Sequence, residues 1–210
     1  MFFELFLVTN KMLISDKKVP VLIKTIRALQ NYNIDYWVCN GTLLGLIRDS
    51  CLIPWDHDID IGVMKGTNRN SIISAFEHEE MIIIDSGNNS DYMTFSYGNV
   101  KIDINFFSKI ENNLVSLWKV PKNHGFTYFL IKIFTKFQRT IPKNEMFWTL
   151  EGYEIPYQYV FPLENRNFYG KEICVPKFPE QVLAYIYGKN WIVPNKNYDW
   201  RKDGINNAKK

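Results

Sequence analysis

Residues 56–63, Asp-His-Asp-Ile-Asp-Ile-Gly-Val, constrain this chain more than any other stretch. Side chains two apart along a strand share a face. Asp56, Asp58 and Asp60 therefore fall on one side, while Ile59, Ile61 and Val63 fall on the other and enter a core. The acidic side sets a physical problem, because carboxylates held together away from water repel one another and resist ionising. A hard divalent cation removes the conflict: Mg²⁺ takes oxygen ligands and keeps positions for a phosphate. A polar strand face turned to water is the plainer alternative, but Asp is disfavoured in strands, and three on one face are hard to explain that way. A calcium loop of the EF-hand type fails on spacing. Counted from Asp56, its glycine position is Ile61 and its closing glutamate position is Thr67.

Upstream lie a short apolar run, Tyr36 to Cys39, and a small-residue turn into a helix, Asn40 to Arg48. The start of a helix offers unpaired N–H groups and the positive end of a dipole, which suits an anion. Gly41, Gly45 and Arg48 follow at i, i+4 and i+7, so one helix face admits a ligand with a guanidinium at its far end. On its own, Gly41-Thr42 reads equally well as a packing glycine and an N-terminal cap. The acidic strand that follows shifts the reading to phosphate binding by Gly41, Thr42, Gly45 and Arg48.

The run GTLLGLIRD followed by IPWDHDIDIGV, residues 41–49 and 53–63, resembles the signature of the LicD and fukutin-related protein family, within the nucleotidyltransferase-fold superfamily. The resemblance extends in patches from about residue 20 to about residue 200, including Phe168-x-Gly170, Val175-Pro176-Lys177 and Tyr187-Gly188-x-x-Trp191. It implies an α/β (α+β) fold with a mixed sheet flanked by helices and a small C-terminal strand-and-helix extension. It implies metal-dependent transfer of a substituted phosphate from a CDP-alcohol (CDP-choline, CDP-ribitol or CDP-glycerol) to a hydroxyl of a glycan. Mg²⁺ or Mn²⁺ would sit on Asp58 and Asp60. Asp103 is a lone carboxylate on the strand VKIDINFF, and its residues alone allow a solvent-facing partner of Lys101. The resemblance makes it the third metal ligand or, with Asp56 as the alternative, the general base. The chain departs from the family at Asp49 to Leu52, where a glycine often stands, and its cysteines provide no counterpart to the family's zinc-binding insertion.

The same acidic site leaves three other functions open: a nucleotidyltransferase acting on a protein, RNA or small molecule, a sugar-nucleotide glycosyltransferase, and an inactive binding module for glycans or nucleotides. The nucleotide released separates the three enzymes.

Composition narrows the rest. With 210 residues and 46% hydrophobic content the chain builds one domain, and a net charge of +3 does not call for nucleic acid. Cys39, Cys51 and Cys174 form no C-x-x-C pair, which excludes a disulfide framework and an evident zinc site. The apolar start, Phe2 to Val8, carries Glu4 and lacks a basic flank, so no signal peptide is expected. Together these predict a soluble, cytoplasmic protein.

Taken in order, a core of about 16–110 starts with a helix capped at Ser15 or Asp16, with Val19, Leu22, Ile23, Ile26 and Leu29 inward. A helix over Thr67 to Glu79, a strand over Met81 to Ile84 and a hairpin turning at Gly98-Asn99 follow. Next come a strand over Leu114 to Val120 and an aromatic helix at about 125–139. Between Glu111 and Glu145 there is no acidic residue, while Lys119, Lys122, His124, Lys132, Lys136, Arg139 and Lys143 are present. Phe126, Phe129, Leu130, Ile133, Phe134 and Phe137 form an apolar stripe at helical spacing. The favoured reading packs that stripe on the domain, with its basic face attracting phosphate; peripheral membrane contact is the competing one. A C-terminal cap, about 147–200, reads as short strands turning at Glu151-Gly152, a strand over QYVFPL and one helix bracketed by Pro179 and Gly188.

Overall fold

The computed structural model describes residues 2–87, 91–122, 125–136, 146–199, 203 and 207–209. Ten strands and six helices are found among them. The architecture turns on β5 (Val100–Ile110), a long strand that serves two neighbourhoods. Its first part runs parallel to β2 (Asp58–Met64) and antiparallel to β4 (Tyr92–Tyr97). Its last residues turn through Glu111 into β6 (Asn113–Pro121). β1 (Trp37–Val38) closes the far side of β2, and β3 (Ile82–Asp85) pairs with β4. β7 (Trp148–Pro156) and β10 (Asn207–Lys209) extend the sheet beyond β6, giving eight strands. β8 (Glu164–Phe168) and β9 (Lys171–Val175) form a separate hairpin. The mixed sheet flanked by helices agrees with the α/β expectation.

Helix α1 (Phe2–Asn31) is longer than predicted. It does not begin at Ser15 or Asp16, and it runs through Pro20, whose exposed position lets the ring drop one backbone donor without ending the helix. Its buried side is Val21, Leu22, Ile26 and Leu29, and it packs against β5 and α3 (Arg69–His78). Lys24 and Arg27 clamp Glu79 at the end of α3. On the opposite side α2 (Asn40–Asp49) packs on β2 and on α6 (Pro179–Tyr187). As predicted, α6 starts at Pro179 and stops at Gly188, whose φ of +84° suits a residue without Cβ.

Ile59, Ile61 and Val63 of β2 are fully buried, as the alternation requires. Phe76 packs on Phe95 at a tilt of 59° with 4.5 Å between ring centroids, locking α3 onto β4. Trp37 packs against Phe107 at 5.2 Å, in the space left because Gly62 carries no side chain.

Three local expectations change. Glu151-Gly152 is not a turn: β7 continues straight through it, and a Cβ on Gly152 would lie 1.9 Å from the Ser116 carbonyl oxygen, so glycine is there to let two strands approach. The QYVFPL segment is not a strand. It forms the short helix α5 (Tyr157–Val160) followed by a cis Phe161–Pro162 bond. In α4 (Gly125–Lys136) the apolar stripe is only partly covered: Phe126 is 73% and Phe129 59% exposed, Leu130 and Ile133 are half-buried, and Ile131 off the stripe is buried. Phe137, Arg139, Lys143 and His124 lie outside the described residues.

Candidate active site

Asp60 is the best-held side chain of the acidic strand. Its backbone N–H donates to Thr42 Oγ1 at 2.8 Å, and its carbonyl accepts from the Cys39 N–H. One carboxylate oxygen accepts from the Gly41 N–H at 3.1 Å and the other from Asn40 Nδ2 at 3.4 Å. Asn40 makes this possible by taking a φ of +45°, a conformation that Asn tolerates better than most residues. Its Oδ1 accepts from the Tyr153 hydroxyl, which ties the arrangement to β7. The start of α2 is thus spent on orienting a carboxylate.

Asp56 and Asp58 complete a cluster with Asp60. One carboxylate oxygen from each lies within 4.8 Å of the others, a spacing open to a single cation. Asp56 precedes β2, on a turn in which its own carboxylate accepts from the His57 N–H at 3.0 Å. Gly41 crowds this carboxylate: a Cβ there would sit 2.4 Å from Asp56 Oδ2. Asp103 is directly opposite Asp60 across the parallel β2–β5 pair and accepts from Thr94 Oγ1 at 2.6 Å. It lines the same cleft but is not part of the close trio. Of the expected ligands, Asp58 and Asp60 therefore lie in the close trio, Asp56 joins them from the turn before β2, and Asp103 faces the same cleft from β5.

The electrostatics are those of a site lacking positive charge. Burial, together with a hydrogen bond and repulsion from Asp58, pushes Asp56 up to about 7. Burial first, then Asp58, Asp56 and Asp103, holds Asp60 well above the usual carboxylate range. Burial also raises Asp103, against the Thr94 hydrogen bond. Lys18 of α1 works the other way on Asp56. It is only 3% exposed, its Nζ is 3.5 Å from the Asp58 carbonyl oxygen, and burial lowers its own pKa.

The cluster floors a cleft of about 930 Å³. Arg48 stands on its wall, forked onto Asp49 through Nε at 3.0 Å and Nη2 at 2.7 Å. Two predicted phosphate ligands lie elsewhere. Thr42 is buried with its hydroxyl engaged by Asp60, and Gly45 is a packing contact, since a Cβ would lie 2.6 Å from the Cys51 carbonyl oxygen. Several wall residues come from parts of the chain that sequence reasoning had not singled out for chemistry: Trp55, Asn105, Trp118, Tyr153, Tyr187, Trp191 and Lys196. Lys196 sits over the Trp55 ring at 5.1 Å. Tyr187-x-x-x-Trp191 was visible as part of the tail pattern; nothing near Lys18 or Tyr153 in sequence marks them.

Residues 33–178 match the family described as LicD/FKTN/FKRP, nucleotidyltransferase domain. The chain belongs to this family. The acidic trio, Asp103 and α2 fall inside the match, whereas Lys18, Tyr187, Trp191 and Lys196 fall outside it. Among curated proteins, ribitol-5-phosphate transferase FKTN of Macaca fascicularis is 26% identical over 184 residues, covering 86% of this chain and 34% of that protein. The Homo sapiens protein of the same name is 25% identical over the same length and shares. The LicD-family chain thus spans about a third of the length of these relatives. The crystal structure of ANT(2″)-Ia in complex with adenylyl-2″-tobramycin superposes with a TM-score of 0.50 at 13% identity, over 88% of this chain and 83% of that one. That likeness shows a nucleotidyltransferase-type fold.

Proposed function

We propose that the chain transfers a substituted phosphate, of the phosphocholine, ribitol phosphate or glycerol phosphate kind, from a CDP-alcohol to a glycan hydroxyl. The observation that carries the reading is the trio Asp56, Asp58 and Asp60, converging within 4.8 Å on the floor of a large cleft inside the family match. The name of the FKTN relatives, ribitol-5-phosphate transferase, supports transfer of an alcohol phosphate.

The donor set is all carboxylate oxygen, the carboxylates resist ionisation in its absence, and the site suits Mg²⁺ or Mn²⁺. Such a cation, bound there, would neutralise charge on the donor diphosphate as the bond to the leaving group lengthens. Asp58 and Asp60 would hold it from the strand, with Asp56 contributing from the turn. The absence of a Cβ at Gly41 keeps Asp56 in place, and Arg48 and Lys196 supply positive charge on the walls. Trp55, Trp118 and Trp191 offer flat faces for a base or a sugar ring.

Asp103 takes the proton of the attacking hydroxyl. Its pKa is raised and it is free of the metal trio, which suits a general base better than a ligand. The acceptor oxygen bonds to the phosphorus that carries the alcohol. The bond from that phosphorus to the bridging oxygen breaks, and CMP leaves with the electron pair.

The test is a donor screen with Mg²⁺ or Mn²⁺ and CDP-choline, CDP-ribitol, CDP-glycerol, CTP and sugar nucleotides, scored by the nucleotide released. CMP from a CDP-alcohol is the expected product. Pyrophosphate from CTP would replace this reading with nucleotidyl transfer, and a nucleoside diphosphate from a sugar nucleotide would replace it with glycosyl transfer.

A further inference from the structure

α4 leaves two aromatic side chains of its apolar face exposed. Phe126 and Phe129 are 73% and 59% exposed, Leu130 and Ile133 of the same face are half-buried, and Ile131, on the opposite face, is buried. A soluble helix turns its apolar stripe to the core; here Phe126 and Phe129 are left uncovered. Lys132 and Lys136 follow Phe129 at i+3 and i+7, both exposed, so a basic ridge runs beside the aromatic one. No acidic residue occurs in the sequence between Glu111 and Glu145.

We infer that α4 is a docking surface for an anionic lipid bilayer, lying in the interface with Phe126 and Phe129 inserted and the lysines at the headgroups. Aromatic insertion beside a lysine ridge is the arrangement that binds such surfaces. Charge complementarity selects the bilayer over a second copy, because two copies of this face would bring their lysine ridges together. The helix lies on the membrane: its 12 residues span roughly 18 Å, short of a hydrocarbon core, and no helix among the described residues is long and apolar enough to cross. Lys122 and Lys119, the latter on the cleft wall, carry basic character from the foot of α4 along β6 toward the site.

Co-sedimentation of the whole chain with phosphatidylcholine vesicles, with and without phosphatidylglycerol, tests this directly. Binding is expected only to the anionic vesicles and falls with added salt. Each lysine near an anionic surface contributes about fivefold to partitioning, so K132E/K136E weakens binding by at least about tenfold, and F126S/F129S does likewise while Asp58→Asn does not. Circular dichroism checks that the variants stay folded. Failure to bind anionic vesicles at low salt overturns the inference, as does binding indifferent to both double variants. A concentration-dependent dimer abolished by F126S/F129S, without vesicle binding, would assign the face to a second copy. These outcomes do not depend on turnover, so they separate cleanly from the donor screen.

Discussion

Asp60 concentrates the chemistry and its cost in one residue. Its backbone and carboxylate accept or donate at four points, yet burial and three neighbouring carboxylates oppose its charge. Asp58→Asn or Asp60→Asn should leave a folded protein whose turnover falls on the order of a thousandfold, since a lost ligand removes several kcal/mol of transition-state stabilisation. Near-normal turnover by either would contradict the role. The raised carboxylates also set a pH dependence. In the unfolded chain they ionise near pH ~4; in the folded chain Asp56 ionises at about 7 and Asp60 above the usual range. Between those values the folded form binds more protons, so metal-free stability falls as pH rises from about 4 through 7 and beyond. Melting in EDTA should therefore give a higher Tm at pH 5 than at pH 8. Mn²⁺ should raise Tm more at pH 8 than at pH 5; an equal or opposite shift would contradict the trio as its ligands. Asp58 and Asp60 were legible as a pair because period-two alternation is local, whereas Asp56 joins them through the turn before β2. Lys18 was not, because 40 residues separate it from Asp58 and only the packing of α1 joins them.

At the scale of elements, β5 decides where the site lies. Pairing with β2 in parallel register puts Asp103 beside Asp60, and the hairpin into β6 carries the sheet on to Tyr153, which braces Asn40. Gly152 is what allows β6 and β7 to lie flat there. Gly152→Val forces its side chain into the Ser116 carbonyl and should destabilise the fold by about 3 kcal/mol or more, within the range of severe packing faults. Urea unfolding measures it, and an unchanged midpoint would show that the strands separate freely. The sequence pointed to a turn at Gly152 because glycine satisfies a turn and a close strand contact equally well; only the partner strand distinguishes them. The stripe of α4 was only partly informative for a related reason. Periodicity reports that a helix has an apolar face and is silent on what covers it.

On the scale of the whole molecule, the site is assembled from more than the matched domain. α1 brings Lys18 from before residue 33, and the segment after residue 178 brings Tyr187, Trp191 and Lys196 to the cleft. These flanking parts share little local pattern with the signature, which is why the motif foretold the carboxylates and not the walls. A cleft floored by acid and walled by aromatics and a few cations suits the joining of a nucleotide-linked phosphate to an acceptor proposed above. The claim beneath all of this is that Asp56, Asp58 and Asp60 grip one divalent cation. Anomalous diffraction from crystals soaked in Mn²⁺ measures it most directly. One strong peak among the three carboxylates is the predicted result; a peak elsewhere, or none with the cleft open to solvent, would contradict it.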